Sequence, residues 1–411
     1  MRGLVPSLAY HLKDSHSVID CTHGSAVRYS EIGWPNILGR SSKWRKIRGA
    51  SVPYRLAELK IELTQECPLA CLHCSTNSSR KQTNSLPKEV VLRLLREGAG
   101  LGVKKVVFTG GEPLVAQSLG AAIGTAADLG IAATLYTSGI VDNVLNPMSA
   151  ELAATLVARG IKRFIFSVYS HLAVVHESVT RYGTHKPTLI AITNAVRTGV
   201  PVELHFVAMR RNFRDLHGVI ELAKSVGVEK VSVLRFVPQG RGRNISSTDD
   251  LTGDELRELA AAIVVLRREY PTVMIRAGSP YNILGIGHTP CNAAKDVLII
   301  NHRGEIFPCD AFKNVRYNDS RFGNVLGSSL SDIWEHSLFL NQVRNILSND
   351  KGGTCQSCEQ ARDCQSGCLA QKVIREGWES AYDPDPSCLV EPPAAIEFGR
   401  PVLVQISDSR S

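Results

Sequence analysis

A chain of 411 residues with 44% hydrophobic and 21% charged residues has the composition of a soluble protein that buries a sizeable core, which excludes disorder for its bulk. No apolar run approaches the roughly 18 residues needed to cross a bilayer. The opening MRGLVPSLAYHLKDSH meets His11, Lys13 and Asp14 too early for a secretory signal. A cytoplasmic protein with no membrane contact is expected. In that reducing compartment, eleven cysteines suggest metal or redox chemistry rather than disulfides.

The net charge of +8 is uneven: residues 1–56 hold nine Lys/Arg against three acids, +6 of the total. The densest run, Arg40–Arg48, encloses Trp44. It reads as a solvated basic extension or a docking surface for an acidic partner such as a peptide. The rest of the chain is nearly neutral, so nucleic acid is an improbable partner.

From residue 58 strands and helices alternate. Strands are expected at Glu58–Leu63, Lys105–Phe108, Ala133–Tyr136, Arg163–Ser167, Val202–Val207 and Val231–Val237. Helices with 3.6-residue periodicity fall between them, for example Lys88–Leu101 after Ser85 and Pro87, and Ser149–Arg159. Gly102, Gly130, Gly160 and Gly227 close such helices. Six strand–helix units argue an α/β fold with a parallel sheet, as an incomplete barrel or an open doubly wound sheet. A further helix is expected near Asp254–Arg268.

The texture then changes. Residues 278–390 hold seven cysteines, many glycines and only short strands such as Val297–Ile300. Such a segment commonly needs metal to make up for a small core. The expected domains are a basic extension (1–56), a barrel (57–277), a cysteine-rich domain (278–390) and a tail (391–411).

Cys67, Cys71 and Cys74 form a C-x3-C-x2-C group directly after the first strand. Three thiolates so spaced can reach three irons of one [4Fe–4S] cluster and leave the fourth open, whereas a structural zinc site closes its fourth position. Thr109-Gly110-Gly111-Glu112-Pro113 ends the second strand. Its glycines allow close backbone approach to a ligand, and Glu112 offers a carboxylate to an amine.

With these two motifs in this order, the chain resembles the radical S-adenosylmethionine enzymes over about residues 56–270. The resemblance implies a partial (β/α)6 TIM-like barrel. It also implies a cluster whose open iron binds S-adenosylmethionine and, when reduced, gives a 5′-deoxyadenosyl radical that abstracts a substrate hydrogen. Carried over, Cys67, Cys71 and Cys74 are the cluster ligands, and His73 lies beside the adenine. Gly110, Gly111, Glu112 and Pro113 hold the methionine amino group, Ser167 the methionyl or ribose end, Arg181 the methionine carboxylate, and Leu234 meets adenine through its backbone.

The second cysteine set, Cys291-x12-Gly304-x4-Cys309 followed by Cys355-x2-Cys358-x5-Cys364-x3-Cys368 and Cys388, resembles the SPASM extension of that family. The resemblance implies two auxiliary iron–sulfur clusters, one on Cys291, Cys309 and Cys368 and one on Cys355, Cys358, Cys364 and Cys388. A zinc ribbon is the competing reading, to which CQSC would be suited. Cys21 is spare. Seven thiols leave the first auxiliary cluster one short, so it has an open iron, a non-cysteine ligand such as His288, or fewer irons. Roughly 10–12 irons per chain are expected.

Enzymes with this extension mostly modify peptides. A peptide-modifying oxidoreductase is therefore expected, with an external donor such as flavodoxin or ferredoxin and a separate leader-peptide recognition protein. The alternative is a dehydrogenase or decarboxylase acting on a sugar or other small molecule. A non-catalytic nucleic-acid-binding protein sits poorly with GGEP. Asp310 follows Cys309 as an aspartate does in the anaerobic sulfatase-maturating enzymes, where it resembles a base for the substrate radical. Burial beside thiolate-bound iron is expected to raise its pKa; the competing reading is a residue that caps a turn in PCDAF.

Overall fold

The computed structural model describes residues 54–388, apart from 288, 316–320, 350–352 and 357. The basic run Arg40–Arg48, Cys21, His288 and the 391–411 tail lie outside the described residues.

Alternating elements run in the order β1 (Glu58–Glu62), α1 (Lys88–Gly100), β2 (Lys105–Thr109), α2 (Leu119–Asp128), β3 (Ala132–Thr137), α3 (Ala150–Arg159) and β4 (Ile161–Ser167). They continue with α4 (Ala173–Thr180), α5 (His185–Val196), β5 (Val202–Ala208), α6 (Leu216–Ser225), β6 (Lys230–Arg235), α7 (Ser246–Asp249), α8 (Gly253–Glu269) and β7 (Met274–Ala277). All six expected strands are present, with ends shifted by a residue or two. Helix ends follow local chemistry. Ser149 Oγ accepts the Leu152 N–H at 3.1 Å, Thr252 and Glu255 form a reciprocal capping box at the start of α8, and Gly160 closes α3 at φ 131°.

The sheet order is β7-β6-β5-β4-β3-β2-β1-β8-β9. From β1 to β7 every sequence neighbour is also a spatial neighbour, and every pairing is parallel. A doubly wound sheet reverses its order at a switch point. The seven strands β1 to β7 do not, which decides for the partial barrel.

Two strands depart from the expected division. β7 lies outside the expected strands, because MIRA is only four residues long and half of it is exposed. β8 (Val297–Ile300) comes from the cysteine-rich stretch yet pairs in parallel with β1, and β9 (Ile306–Phe307) adds antiparallel to it. The sheet thus continues across the expected 277/278 boundary. Beyond it come α9 (Leu330–His336), α10 (Leu338–Ser348), α11 (Ala361–Cys364) and α12 (Leu369–Glu376).

Successive strand residues point to opposite faces. Leu59, Ile61, Phe108, Leu135, Phe164, Phe166, Leu204, Phe206, Val231 and Val233 are wholly buried. Each large side chain there contributes about 1.5–3 kcal/mol over leaving it in water. Their sequence neighbours Lys60, Tyr136, Ser167, Glu203, His205 and Ser232 share the other face. That face lines the lumen.

Candidate functional site

The cysteine loop leaves β1 and is tied down by backbone bonds. The Cys67 N–H donates to Ser79 O at 3.2 Å, Leu72 N–H to Val179 O at 2.9 Å, and Cys74 N–H to Cys71 O at 3.2 Å. From the loop after β6, Arg241 donates through Nε to Cys71 O (2.8 Å) and through its backbone N–H to Cys74 O (3.0 Å). Burial, then Cys71, Glu112 and Cys74, push the Cys67 thiol well above its ordinary pKa. Burial and Cys74 push Cys71 up to about 12. The three thiols therefore share one site. His73, between the last two, packs edge-on against Tyr169 with ring centroids 4.8 Å apart, and its buried Nδ1 has no partner.

The glycine motif is built against the same loop. Gly111 N–H donates to Thr64 O at 2.6 Å and Glu112 N–H to Glu66 O at 2.8 Å. A Cβ at Gly111 would run into the carbonyl oxygens of Gln65 and Glu66, so only glycine lets the two segments lie this close. Glu112 does not offer its carboxylate outward. It is 1% exposed, and its oxygens accept from Leu114 N–H (3.1 Å), Thr137 Oγ1 (2.5 Å), Ser138 N–H (2.8 Å) and Ser138 Oγ (2.6 Å). It knits the motif to the end of β3. Pro113 is buried at the start of the turn that follows.

Ser167 ends β4 half-buried, with Oγ 3.4 Å from the Tyr136 hydroxyl. Leu234 is half-buried on β6, paired with Val207. Arg181 is exposed and caps α4 in the left-handed region at φ 70°. Its neighbour Thr180 accepts the Ala70 N–H at 3.4 Å, so the backbone beside Arg181 meets the cysteine loop while its side chain faces solvent.

Asp310 departs from expectation. Its carboxylate, half-exposed, receives Lys60 Nζ at 2.5 Å and Lys313 Nζ at 3.0 Å, and its carbonyl receives Gln239 Nε2 at 2.9 Å. Burial pushes its pKa up, but the two ammonium groups outweigh that and hold it well below the usual carboxylate range. The expected rise is therefore corrected to a fall, and the cause is a lysine pair contributed from β1 and from the turn after Cys309. Lys313 also meets buried Glu62 at 2.8 Å.

Other lumen groups escaped the sequence reading. Glu203 accepts from Ser232 Oγ at 2.5 Å, lies 3.0 Å from Lys230 Nζ and 3.1 Å from His205 Nε2. Burial raises its pKa, yet His205, Ser232 and Lys230 hold it far below normal. His205 packs on Tyr136 at 4.8 Å. The available signal was the two-residue alternation: Glu58-Lys60-Glu62, Thr134-Tyr136 and Glu203-His205 put polar groups on one face of otherwise apolar strands.

The second cysteine set divides into two neighbourhoods. Burial, then Cys291 and Cys368, raise the Cys309 thiol well above its ordinary value. Cys364 is pushed up to about 11 by burial, with Cys388 and Cys355 contributing. Cys388 in turn feels Cys355 and Cys358. Among the described residues no group of three or more His, Cys, Asp and Glu could hold a single metal ion. The ligands of one cluster sit on separate irons and stand wider apart than ligands on one ion. Grouped thiols such as those of Cys309, Cys364 and Cys368, pushed up by burial and by their neighbours, suit a cationic multi-iron centre, which favours the thiolate form they resist alone.

Comparison with known proteins accords with this geometry. A family model described as the Radical SAM superfamily matches residues 61–223, and one described as SPASM, an iron–sulfur cluster-binding domain, matches 291–364. The chain thus carries a Radical SAM domain and, after it, a SPASM domain. This SPASM-bearing radical SAM enzyme is 27% identical over 339 residues to the PqqA peptide cyclase of Xanthomonas campestris pv. campestris (strain 8004), covering 82% of this chain and 87% of the relative. It is 26% identical over 337 residues to the mycofactocin maturase MftC of Mycolicibacterium smegmatis, covering 80% and 81%. In fold it is similar to Streptococcus suis SuiB bound to S-adenosylmethionine, with a TM-score of 0.65 at 18% identity over 81% of this chain and 77% of the other. It is also similar to anSMEcpe with bound AdoMet and a Cp18Cys peptide, with a TM-score of 0.63 at 17% identity over 81% and 94%. The enzyme thus uses an iron–sulfur cluster with S-adenosylmethionine and carries auxiliary iron–sulfur sites. Among the described residues no helix is long and apolar enough to cross a membrane.

Proposed function

We propose that this enzyme modifies a peptide or small protein by hydrogen abstraction, forming a crosslink or oxidised residue during natural-product or cofactor maturation. The likeness to a peptide cyclase across 82% of this chain and 87% of that relative carries the reading. Cys67, Cys71 and Cys74 would hold the catalytic [4Fe–4S] cluster. Gly110, Gly111 and Pro113 would offer backbone to S-adenosylmethionine, with His73 and the Leu234 backbone at its adenine, Ser167 at its methionyl or ribose end and Arg181 near its carboxylate. When bound, these groups supply the 5′-deoxyadenosyl radical that takes the substrate hydrogen.

The protein's own part is to shape a lumen that excludes water and to govern protons. Asp310, kept ionised by Lys60 and Lys313, is in the form a base needs, while the same lysines weaken its hold on a proton. It would serve a substrate radical that has become acidic. Cys291, Cys309 and Cys368, and Cys355, Cys358, Cys364 and Cys388, would hold two auxiliary clusters to receive the electron released. A flavodoxin or ferredoxin would reduce the catalytic cluster, and a separate recognition protein would present the peptide leader.

The test is anaerobic turnover with Cys-, Tyr- or Trp-containing precursor peptides deuterated at candidate carbons. Deuterium in 5′-deoxyadenosine together with a mass change in the peptide supports the reading. Transfer from small sugars but from no peptide overturns it in favour of a small-molecule dehydrogenase or decarboxylase.

A further inference from the structure

Asp385 lies where the two auxiliary sets of thiols meet. Its Oδ2 accepts the Cys368 N–H at 2.9 Å, and its backbone carbonyl accepts the Cys388 N–H at 2.7 Å. Cys368 belongs to the first set and Cys388 to the second. The carboxylate is fully buried, and Arg235 at the end of β6 grips it with a fork of two 2.8 Å bonds. The same guanidinium donates to Ser387 Oγ at 2.7 Å and Pro280 O at 3.3 Å. One residue on, the Phe236 carbonyl accepts buried Gln371 Nε2 at 2.7 Å. Gly367, at φ 76°, lies so near that a Cβ there would strike the Asp385 side chain.

Charge reaches both sets through these bonds, because the carboxylate of Asp385 touches Cys368, its carbonyl touches Cys388, and Arg235 is held against it. Lys372, on the helix that follows Cys368, is also buried and donates to Ala381 O at 3.4 Å. A paired Arg and Asp nearly cancel at a distance, but either one alone in this dry setting would not.

We propose that the Arg235–Asp385 pair is a shared positioning element of both auxiliary cluster sites, locking them to the last residues of β6 and setting both reduction potentials through its balanced charge. This rests on the reading of the two thiol sets as cluster ligands. Removing the cation leaves a net negative charge beside centres that must gain an electron, so both potentials move down. Neutralising the anion leaves a net positive charge, so both move up.

The experiment is an EPR-monitored redox titration of the reconstituted full-length enzyme as wild type, Arg235→Gln, Asp385→Asn and Arg235→Lys, with iron and sulfide counted for each. Opposite shifts in the Gln and Asn variants at unchanged iron content, with wild-type potentials in Arg235→Lys, support the proposal. Unmoved potentials, or shifts of the same sign, overturn it. If the Gln and Asn variants lose auxiliary iron, Arg235→Lys decides alone: wild-type potentials support the proposal, and displaced ones overturn it. Auxiliary signals missing from the wild type would instead sink the reading of the thiols as ligands.

Discussion

The barrel and the segment after it position their thiols by different means. In the barrel, wholly buried residues such as Leu59, Phe108, Phe164 and Phe206 fix the sheet, and the cysteine loop hangs from strand ends by backbone bonds. Beyond β9 the elements are short, and polar clamps reach across the chain. Arg344 donates to Ala294 O and Trp334 O, both at 2.7 Å, Arg93 to Val325 O at 2.5 Å, and Arg235 grips Asp385. That segment has its own apolar cluster in Phe312, Phe339 and Trp378, but it adds clamps and thiols to it, so it leans on its metal more than the barrel does. The barrel should therefore keep its fold without its cluster, and the auxiliary segment should loosen without its own.

The largest expected effect tests the barrel side. Replacing Cys67, Cys71 and Cys74 together by Ala should bring S-adenosylmethionine cleavage to background and remove about four of the roughly 10–12 irons per chain. Circular dichroism should show the sheet intact. Persistent 5′-deoxyadenosine formation in that variant would sink the assignment, and loss of the sheet would show that the two regions do not differ as argued.

Next comes the residue where the regions meet. With an accepted substrate, Asp310→Asn should leave deuterium transfer to 5′-deoxyadenosine intact while product falls by on the order of 10²–10⁴. Equal loss of both, with poorer iron content, would make Asp310 a turn residue that shapes the cluster. For the auxiliary side, Cys355→Ala with Cys358→Ala should speed proteolysis within 278–388 about tenfold, equivalent to ~1.4 kcal/mol of local stability, and leave the barrel resistant. Equal protection in wild type and variant would mean that the clamps suffice without metal.

The same contrast explains what could be read from sequence. Strands β1 to β6 and helices α1, α3 and α8 announce themselves by period and caps, because local pattern and burial agree there. The Radical SAM and SPASM domains were legible because their cysteine motifs recur at fixed intervals. Asp310 was legible as a position but not as a charge state, since Lys60 lies 250 residues away in sequence and is brought to it only by folding. Glu112 looked like a free carboxylate because nothing in GGEP reveals that Thr137 and Ser138 saturate it. Arg235 and Asp385, 150 residues apart, carry no local signature at all.

The smallest expected effect concerns the ring stack behind the cysteine loop, which sharpens the barrel side of the comparison. His73 packs on Tyr169, Tyr169 on His176 at 5.5 Å, and His176 on His185 at 5.4 Å. His176 is 1% exposed and its Nε2 has no partner, so a proton there would be buried without compensation. Burial, with a smaller push from His185, lowers its pKa to about 3. The unfolded chain takes up that proton near pH 6.5 while the folded chain refuses it until about pH 3, so the stability is complete above 6.5 and drains away as pH falls. The slope is at most about 1.4 kcal/mol per pH unit. Unfolding free energies from urea titrations of wild type and His176→Leu between pH 6.5 and 5 should diverge in slope by up to about this amount, with the variant the flatter of the two. Parallel slopes would mean that the stack admits the proton, and that the wall behind the cysteine loop is not the dry packing that sets the barrel apart.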